Sequence, residues 1–416
     1  MSRCLLTGNA AAAWGARLAR VDYVPAFPIT PQTEIIETLA GWIERGEMDG
    51  RLVMLESEHS MLTAASAAAA TGVRVFTATS SQGLMYAMEM IFSAPGNRVP
   101  FFLVNVSRGL QTPVTLEADH TDVLAARDSG FLQFHCATCQ EVLDGVLLAC
   151  RLAEDCRVRL PAIVNLDGFH LSFTREPVTV PDAESVARFL PPYDAGMQRF
   201  RADMPLSLGA AVLNGGQYSY FRYEQHLASV GALAAYDEIA AEFTETFGRR
   251  YEAVESYCSD DADVVFFMIG SFSTKAKDAV DRLREAGQRV GLVRPRLLRP
   301  FPEAALRRAL AGKKGVAVID QNLSMGKGGV LHAELASALY GQRDAPPILA
   351  SFIGGLGGRD IAPEEFYAIA AAVRCACRDG VTPSPRLLFT AGELRETRKL
   401  QALAWVSRGR SEGEIQ

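Results

Sequence analysis

The amino-acid sequence predicts an α/β protein: a doubly wound parallel sheet followed by a second, smaller α/β unit. Short apolar runs alternate with helical patterns through residues 1–180, as expected for a parallel sheet with helices on both faces. A second series of such runs begins at Asp263, after a polar, proline-rich stretch at residues 181–205. The length of 416 residues is sufficient for two or three domains.

Composition narrows the class of protein. Apolar residues make up 49% of the chain and charged residues 22%, as in an ordinary soluble globular protein. The net charge of −6 argues against nucleic acid as a main partner. The sequence offers no apolar run of about eighteen residues, and its first twenty residues make a poor signal peptide. We therefore expect a cytoplasmic protein without a membrane span.

The first elements of the chain are a short strand at residues 4–6 and an alanine-rich helix from Gly8 to about Ala19. Residues 23–30 form a second extended piece, and an amphipathic helix follows. Thr30 is a good N-cap residue and Pro31 a good first helical residue. The same geometry directs a hydroxyl group and free N–H groups outward, where they suit an anion.

Two carboxylates follow the next apolar run. We interpret residues 52–55 as a buried strand that ends at Glu56 and Glu58, before a helix of small residues. Ligands collect at the carboxyl ends of strands in open α/β sheets, so both side chains are candidates for chemistry. The alternative is two solvated acids at a strand end, which their residue type alone favours.

The rest of the first unit repeats this alternation. A strand at residues 73–78 runs into the polar turn Thr79–Gly83, and a methionine-rich helix is predicted from Leu84 to Phe92. A hydrophobic strand at residues 100–106 ends at Ser107-Arg108-Gly109. Two further strands are predicted at residues 131–135 and 162–166, with a helix between them at residues 140–152.

Cys136 and Cys139 form the single C-x-x-C pair among eight scattered cysteines. One pair is half of a metal site or a redox dithiol at most, and no second pair has a suitable spacing. We interpret both as buried structural thiols. We expect neither a metal site nor an iron–sulfur cluster within this chain.

The second unit is predicted from its own strands and turns. A strand begins at Asp263, a helix capped near Ser271 ends at Gly287, and later strands lie at residues 290–293, 315–319 and 348–352. The turn Ser324–Gly329 is rich in glycine but lacks the spacing of a phosphate-binding loop, so we interpret it as structural. A helix is predicted at Tyr236–Tyr251.

These patterns divide the chain into three parts. The first domain covers residues 1–240 and includes a strap at 181–240; the second covers residues 241–380. A charged, helical tail follows at residues 381–416.

Four segments, taken in order, resemble the alpha subunits of the 2-oxoacid:ferredoxin (acceptor) oxidoreductases, the pyruvate:ferredoxin oxidoreductase family. They are Gly8–Gly15, Phe27–Pro31, Glu56–Ser60 and Thr79–Gly83. The resemblance continues through five later segments, namely Asn165–Gly168, Phe221–Tyr223, Phe247–Tyr251, Arg299–Pro302 and Gly354–Ile361. Each motif is weak alone, but their joint order is highly specific.

The resemblance implies a thiamine diphosphate enzyme whose cofactor lies between two chains. This chain would supply the pyrimidine-binding domain and a transketolase C-terminal-like domain. The family's Mg²⁺–diphosphate signature does not occur in this sequence. Mg²⁺ and the [4Fe-4S] clusters are therefore expected on beta, gamma and delta-type partner subunits. The implied reaction converts a 2-oxoacid and coenzyme A to acyl-CoA and CO₂, with electrons passed to ferredoxin or another acceptor.

The resemblance also assigns residues. Glu58 matches the glutamate beside the aminopyrimidine ring, where a carboxylate favours the tautomer that removes the C2 proton of the cofactor. Thr30 and Arg108 match residues that hold the substrate carboxylate, although a salt bridge at the rim is the simpler role for an arginine. The turn at Ser81, Gln82 and Gly83 is expected to line the cofactor pocket.

The loop after Arg108 departs from the pattern of pyruvate-type alpha chains, which tend to carry a tryptophan there. Residues 109–118 contain no aromatic side chain, and Gly109 leaves room beside Arg108. We therefore favour a bulky or aromatic substrate and the phenylglyoxylate branch of the family. Alternatives are pyruvate or a branched-chain 2-oxoacid. Other rivals are a transketolase- or decarboxylase-like enzyme and a non-catalytic scaffold.

Overall fold

The computed structural model describes residues 2–196, 199–209 and 211–407. Strands and helices alternate along the first unit, as the sequence predicts. Its elements are β1 (Ser2–Thr7), α1 (Gly8–Leu18), β2 (Tyr23–Ala26), α2 (Thr33–Glu44), β3 (Arg51–Met54), α3 (Glu58–Ala70), β4 (Phe76–Thr79), α4 (Gln82–Tyr86), α5 (Met88–Gly96), β5 (Phe102–Ser107), α6 (Thr121–Ala125), β6 (Leu132–His135), α7 (Cys139–Ala153), β7 (Ala162–Asp167), β8 (Arg175–Val180) and α8 (Ala183–Phe189).

The rest of the chain begins with a long helix and contains the second unit. Its elements are α9 (Gly215–Phe247), β9 (Val254–Tyr257), β10 (Val264–Phe267), α10 (Phe272–Glu285), β11 (Val290–Pro295), β12 (Leu297–Arg299), α11 (Glu303–Leu310), β13 (Gly315–Asp320), α12 (Val330–Leu339), β14 (Ile348–Ile353), α13 (Pro363–Asp379), β15 (Arg386–Leu387) and α14 (Ala391–Ser407).

Two parallel-rich sheets organise the molecule, which confirms the predicted fold class. The first has the strand order β12-β6-β7-β5-β4, and the second has the order β15-β14-β13-β10-β11-β9. Strands β4, β5 and β7 are parallel, with Thr79 beside Asn105 and Asn105 beside Asn165. Their carboxyl ends therefore lie at one edge of the sheet, where the predicted site residues follow.

Three extended segments predicted for the main sheet lie outside it. Strand β1 pairs antiparallel with β8, and β3 pairs with β2 in a two-stranded sheet. The prediction of a buried strand before Glu56 is wrong, because Arg51 and Met54 are exposed and the two residues between them are half-buried. Strand β3 hydrogen-bonds only to β2 among the described strands, so one of its sides is open.

Small residues allow helices to pack closely on the first sheet. A Cβ atom on Gly15 of α1 would lie 2.7 Å from Cβ of Val146 in α7. The alanines of α1 at positions 11–13 and 16 are fully buried. The alanine-rich pattern that predicted this helix is therefore a packing requirement.

Helix α2 begins later than the sequence predicts. The N–H of Gln32 donates to the carbonyl of Ile29 at 3.0 Å, and the Gln32 side chain donates to the carbonyl of Phe27 at 2.9 Å. This turn delays the helix to Thr33. Thr30 is therefore not the N-cap, and its peptide bond to Pro31 is cis.

Three further elements differ from the sequence prediction: the methionine-rich helix, helix α9 and the C-terminal tail. The predicted methionine-rich helix is two helices separated at Ala87. Helix α9 starts at Gly215 and ends at Phe247, and the next residue, Gly248, caps it with a left-handed φ of 71°. It runs without interruption across residue 240, so the domain boundary there stays a prediction. The tail is not entirely helical, since β15 pairs with β14.

Arg294 lies at the seam between the two units. Its fully buried guanidinium pairs with Glu141 of α7 at 2.6 Å and with Glu255 of β9 at 2.8 Å. The second unit also adds β12 antiparallel to β6 at the edge of the first sheet. Backbone pairing and a buried ion network thus join the units.

Candidate active site

Glu58 and Glu56 face different surroundings at the start of α3. The hydroxyl of Ser57 caps this helix by accepting from the N–H of Ser60 at 3.2 Å. Glu58, in the first turn, is only 6% exposed. Glu56 is exposed and accepts a hydrogen bond from the hydroxyl of Ser60. The structure therefore buries Glu58 and leaves Glu56 outside.

Gly83 packs directly against the carboxylate of Glu58. A Cβ atom on Gly83 would lie 2.5 Å from Oε1 of Glu58 and 2.6 Å from Oγ1 of Thr79. The turn after β4 thus reaches the buried glutamate because it carries a glycine at this position. The structure brings together Glu58 and the predicted turn.

Thr79 is a site residue that the sequence analysis did not single out. Its hydroxyl is buried without a hydrogen-bond partner among the described residues. No described residue donates a hydrogen bond to the carboxylate of Glu58 either. Buried polar groups normally have partners, so these two groups fit a ligand that supplies both donor and acceptor atoms. The only signal in the sequence was the place of Thr79 at a strand's carboxyl end.

Arg108 follows β5 and is nearly buried. Its Nη2 donates to Oε1 of Gln82 at 2.8 Å, and its buried Nε has no partner in the described part of the chain. Burial lowers the pKa of Arg108, while the nearby carboxylate of Asp122 opposes this shift. The alternative of a rim salt bridge is wrong, since no described carboxylate forms an ion pair with Arg108. A buried, unpaired guanidinium suits an anionic ligand.

The turn Ser81–Gly83 is hydrogen-bonded to the loop after Arg108. Ser81 has the unusual backbone angles φ 49° and ψ −115°. Its hydroxyl donates to the carbonyl of Gly109 at 3.0 Å, and the side chain of Gln82 donates to the carbonyl of Leu110 at 3.0 Å. These bonds hold the candidate cofactor turn against the candidate substrate loop.

Thr30 lies at the same edge but is exposed. The adjacent Pro31 lies 3.0 Å from the position of a Cβ atom on Gly168, the residue after β7. The carbonyl of Pro31 accepts from the Asn9 side chain at 2.9 Å. The structure therefore anchors the segment that carries Thr30, although not by the predicted helix cap.

The other sequence candidates have structural explanations. All eight cysteines are free, and both Cys136 and Cys139 are buried, with thiols that donate to backbone carbonyls. The N–H groups at the start of α12 are occupied by the buried carboxylate of Asp320, which accepts from Leu331 at 2.7 Å. The turn before this helix is thus used internally. Among the described residues, no cluster of three or more potential ligands is placed to hold a metal ion.

Comparison with known families decides the classification. Residues 14–238 match the family model described as pyruvate flavodoxin/ferredoxin oxidoreductase, thiamine diphosphate binding. Residues 262–366 match the pyruvate:ferredoxin oxidoreductase core domain II. The chain belongs to the pyruvate:ferredoxin oxidoreductase family. The resemblance seen in the sequence is thereby confirmed.

Curated relatives of this oxidoreductase chain cover almost its whole length. It is 38% identical to the pyruvate synthase subunit PorA of Pyrococcus abyssi, over 92% of this chain and 96% of the relative. It is 42% identical to the ketoisovalerate oxidoreductase subunit VorA of the same organism, over 90% of this chain and 95% of the relative. Both relatives are named as subunits of larger enzymes.

A solved structure shares the fold. It is the 2-oxoglutarate:ferredoxin oxidoreductase from Magnetococcus marinus, with a TM-score of 0.68 and 21% identity, over 90% of this chain and 65% of that chain. A split-gene transketolase matches with a TM-score of 0.51 and 14% identity, over 88% of this chain and 97% of that chain. In the described part of our chain, no helix combines the length and apolar character needed to cross a membrane.

Proposed function

We propose that this chain is the catalytic alpha subunit of a CoA-acylating 2-oxoacid oxidoreductase. One arrangement carries the proposal: the turn Gln82–Gly83 contacts the unpaired guanidinium of Arg108 through Gln82 and the unpaired carboxylate of Glu58 through Gly83. A 2-oxoacid brings a carboxylate for the first group. The pyrimidine of thiamine diphosphate brings ring nitrogen atoms for the second.

The residues present fit that cofactor. The orphan hydroxyl of Thr79 and the carboxylate of Glu58 offer hydrogen bonds to an aminopyrimidine, and Gly83 leaves space beside them. When bound, thiamine diphosphate supplies the carbanion that attacks the 2-oxo carbon and accepts the electrons of decarboxylation. Glu58 would hold a proton at the ring nitrogen, and Arg108 and Thr30 would bind the substrate carboxylate.

The remaining cofactors belong to partners in this proposal. The chain has no Mg²⁺–diphosphate signature, so Mg²⁺ and the diphosphate would be bound by a beta-type subunit. Gamma and delta-type subunits would carry the [4Fe-4S] clusters that pass electrons to ferredoxin. The relatives are named as subunits of a pyruvate synthase and a ketoisovalerate oxidoreductase, which supports the presence of partner subunits.

The substrate proposal remains a bulky 2-oxoacid, with phenylglyoxylate as the aromatic example. Its support is the loop at residues 109–118, which carries no aromatic side chain. Gly109 does not leave the free space that the sequence predicted, because Cγ2 of Thr115 lies 2.4 Å from the position of a Cβ atom there. Thr115 therefore fills the space that Gly109 leaves. Pyruvate and branched-chain 2-oxoacids, the substrates named for the relatives, are the alternative.

Two experiments test the function. Calorimetric titration of the isolated chain with thiamine diphosphate and Mg²⁺ should show weak binding, whereas the purified complex should bind tightly. Tight, stoichiometric binding by the isolated chain would contradict a shared site. In the complex, kcat/KM is compared for phenylglyoxylate, 2-oxoisovalerate and pyruvate with coenzyme A. An apolar enlargement discriminates by only about 1–3 kcal/mol, so cross-reactivity is expected, and a clear preference for pyruvate would contradict the substrate proposal.

A further inference from the structure

Asp122 lies beneath the candidate site and is fully buried. Its Oδ2 accepts from the N–H of Ser81 at 3.1 Å and from the side-chain amide of Asn105 at 3.0 Å. Its Oδ1 accepts from the N–H of Val123 at 2.7 Å and contacts the hydroxyl of Ser107 at short range. One carboxylate thus has four polar neighbours on three segments: the turn after β4, strand β5 and helix α6.

Two of these neighbours are adjacent in sequence to candidate site residues. Ser81 immediately precedes Gln82 and Gly83, and Ser107 immediately precedes Arg108. The positive φ of Ser81 is rare for a residue with a side chain, and such a conformation persists only where its surroundings fix it. The N–H bond to Asp122 is one of the contacts that fix it.

We propose that Asp122 is a positioning residue that sets the distance and orientation between the Gln82–Gly83 turn and Arg108. The inference rests on the proposed function, because Arg108 is taken to bind the substrate carboxylate. Asp122 does not touch the substrate in this proposal. It acts through the backbone of Ser81 and the residue before Arg108, and neither the sequence motifs nor the family matches assign it a role.

The chemistry of the neighbours requires a carboxylate. The N–H groups of Ser81 and Val123 and the amide of Asn105 all donate, so both oxygen atoms must accept. In Asp122→Asn, one oxygen atom becomes an NH₂ group of nearly equal size. In either orientation this group faces at least one N–H donor, so one segment must move. Asp119 is the matched control, since among the described residues its side chain accepts only from the N–H of Thr121 through Oδ1, and an asparagine there keeps that bond.

The test uses the assembled complex and two measurements. For D122N, we expect KM for the 2-oxoacid to rise on the order of tenfold or more, with a smaller change in kcat, because the arginine is displaced. Calorimetric affinity for oxamate, an unreactive 2-oxoacid analogue, should fall by a similar factor. D119N should match wild type in both KM and affinity for oxamate. If Asp122 had a purely structural role, D122N would change the amount of folded complex without changing KM.

A second variant covers failure of D122N to fold. S107A removes one neighbour of the carboxylate and leaves the other three, and it should raise KM several-fold. Wild-type KM and oxamate affinity in D122N, or in S107A where D122N does not assemble, would overturn the positioning role. Absence of any 2-oxoacid turnover by the wild-type complex would instead overturn the proposed function, so the two failures are distinguishable.

Discussion

Gly83→Ala places one methyl group between the two unsatisfied polar groups of the candidate site. The added Cβ would lie 2.5 Å from Oε1 of Glu58 and 2.6 Å from Oγ1 of Thr79, whereas ordinary contacts begin near 3.4 Å. The carboxylate or the turn must therefore retreat by about 1 Å. Displacements of this size cost reactions about a hundredfold in rate, and overpacking costs about 1–3 kcal/mol of stability. The expected result is a folded complex with a strongly impaired cofactor site.

The assay is exchange of the C2 proton of bound thiamine diphosphate for deuterium in the complex, followed by quenching and NMR. This step precedes substrate binding, so it reports on Glu58 without involving Arg108. We expect G83A to slow the exchange by roughly two orders of magnitude. Gly96→Ala is the control, because a Cβ atom there meets nothing within 4 Å. Exchange in G83A within twofold of the control would refute the proposed role of the contact between the turn and the carboxylate of Glu58.

Three further predictions follow from burial and charge. Glu58→Gln removes the charge of the buried carboxylate and should slow the same exchange by about a hundredfold or more. Glu56→Gln, at an exposed position, should change the exchange little. If Glu56→Gln slowed the exchange more than Glu58→Gln, the assignment of Glu58 would be contradicted. Arg294→Met removes the buried cation shared by Glu141 and Glu255, which then keep only Arg296 and Lys277 as ion-pair partners, and should lower the free energy of unfolding in urea by about 3 kcal/mol. The exposed Arg289→Met should cost less than about 1 kcal/mol, and equal losses would contradict the argument. Burial raises the pKa of Asp167, but its histidine partner and hydrogen bonds lower it to about 2. The ionised Asp167 therefore stabilises the fold above its unfolded pKa near 4, and this stabilisation is lost as the pH falls toward 2. In urea titrations, the free energy of unfolding of wild type should fall by roughly 2 kcal/mol more than that of D167N over this range.

Residues tied to a motif at a strand end could be predicted from the sequence. Apolar runs that stop before Glu56, Glu58 and Arg108 made all three candidates, and the resemblance to the family then gave Glu58 and Arg108 their roles. Thr79 escaped the prediction because a threonine at the end of a strand is also an ordinary β-forming residue. The lack of a hydrogen-bond partner for the buried hydroxyl of Thr79 among the described residues is visible only in the structure.

Long-range pairing accounts for most differences in the fold. Strand β12 belongs to the second unit by sequence but pairs with β6, with Leu297 opposite Phe134. Periodicity reports which face of a strand is buried and does not identify its neighbour. Helix α9 was predicted too short for a related reason. Its first turns at residues 215–224 are exposed on all sides, so they lack the apolar stripe by which a surface helix is predicted.

The second unit helps to shape the site, although the predicted catalytic residues all lie in the first. The loop from Arg108 to Asp122 is bonded to it: the N–H of His120 donates to the carbonyl of Gln321 at 2.9 Å, and the N–H of Gly358 donates to the carbonyl of Ala118 at 2.9 Å. At the same seam, the buried carboxylate of Asp167 accepts from the N–H of Ser271 at 2.7 Å and pairs with the imidazole of His120 at 2.6 Å. A loop of this length between two sheet edges has many conformations, and fixing them costs entropy. Contacts from the second unit offset that cost, so the position of the loop beside Arg108 depends on both units being folded together.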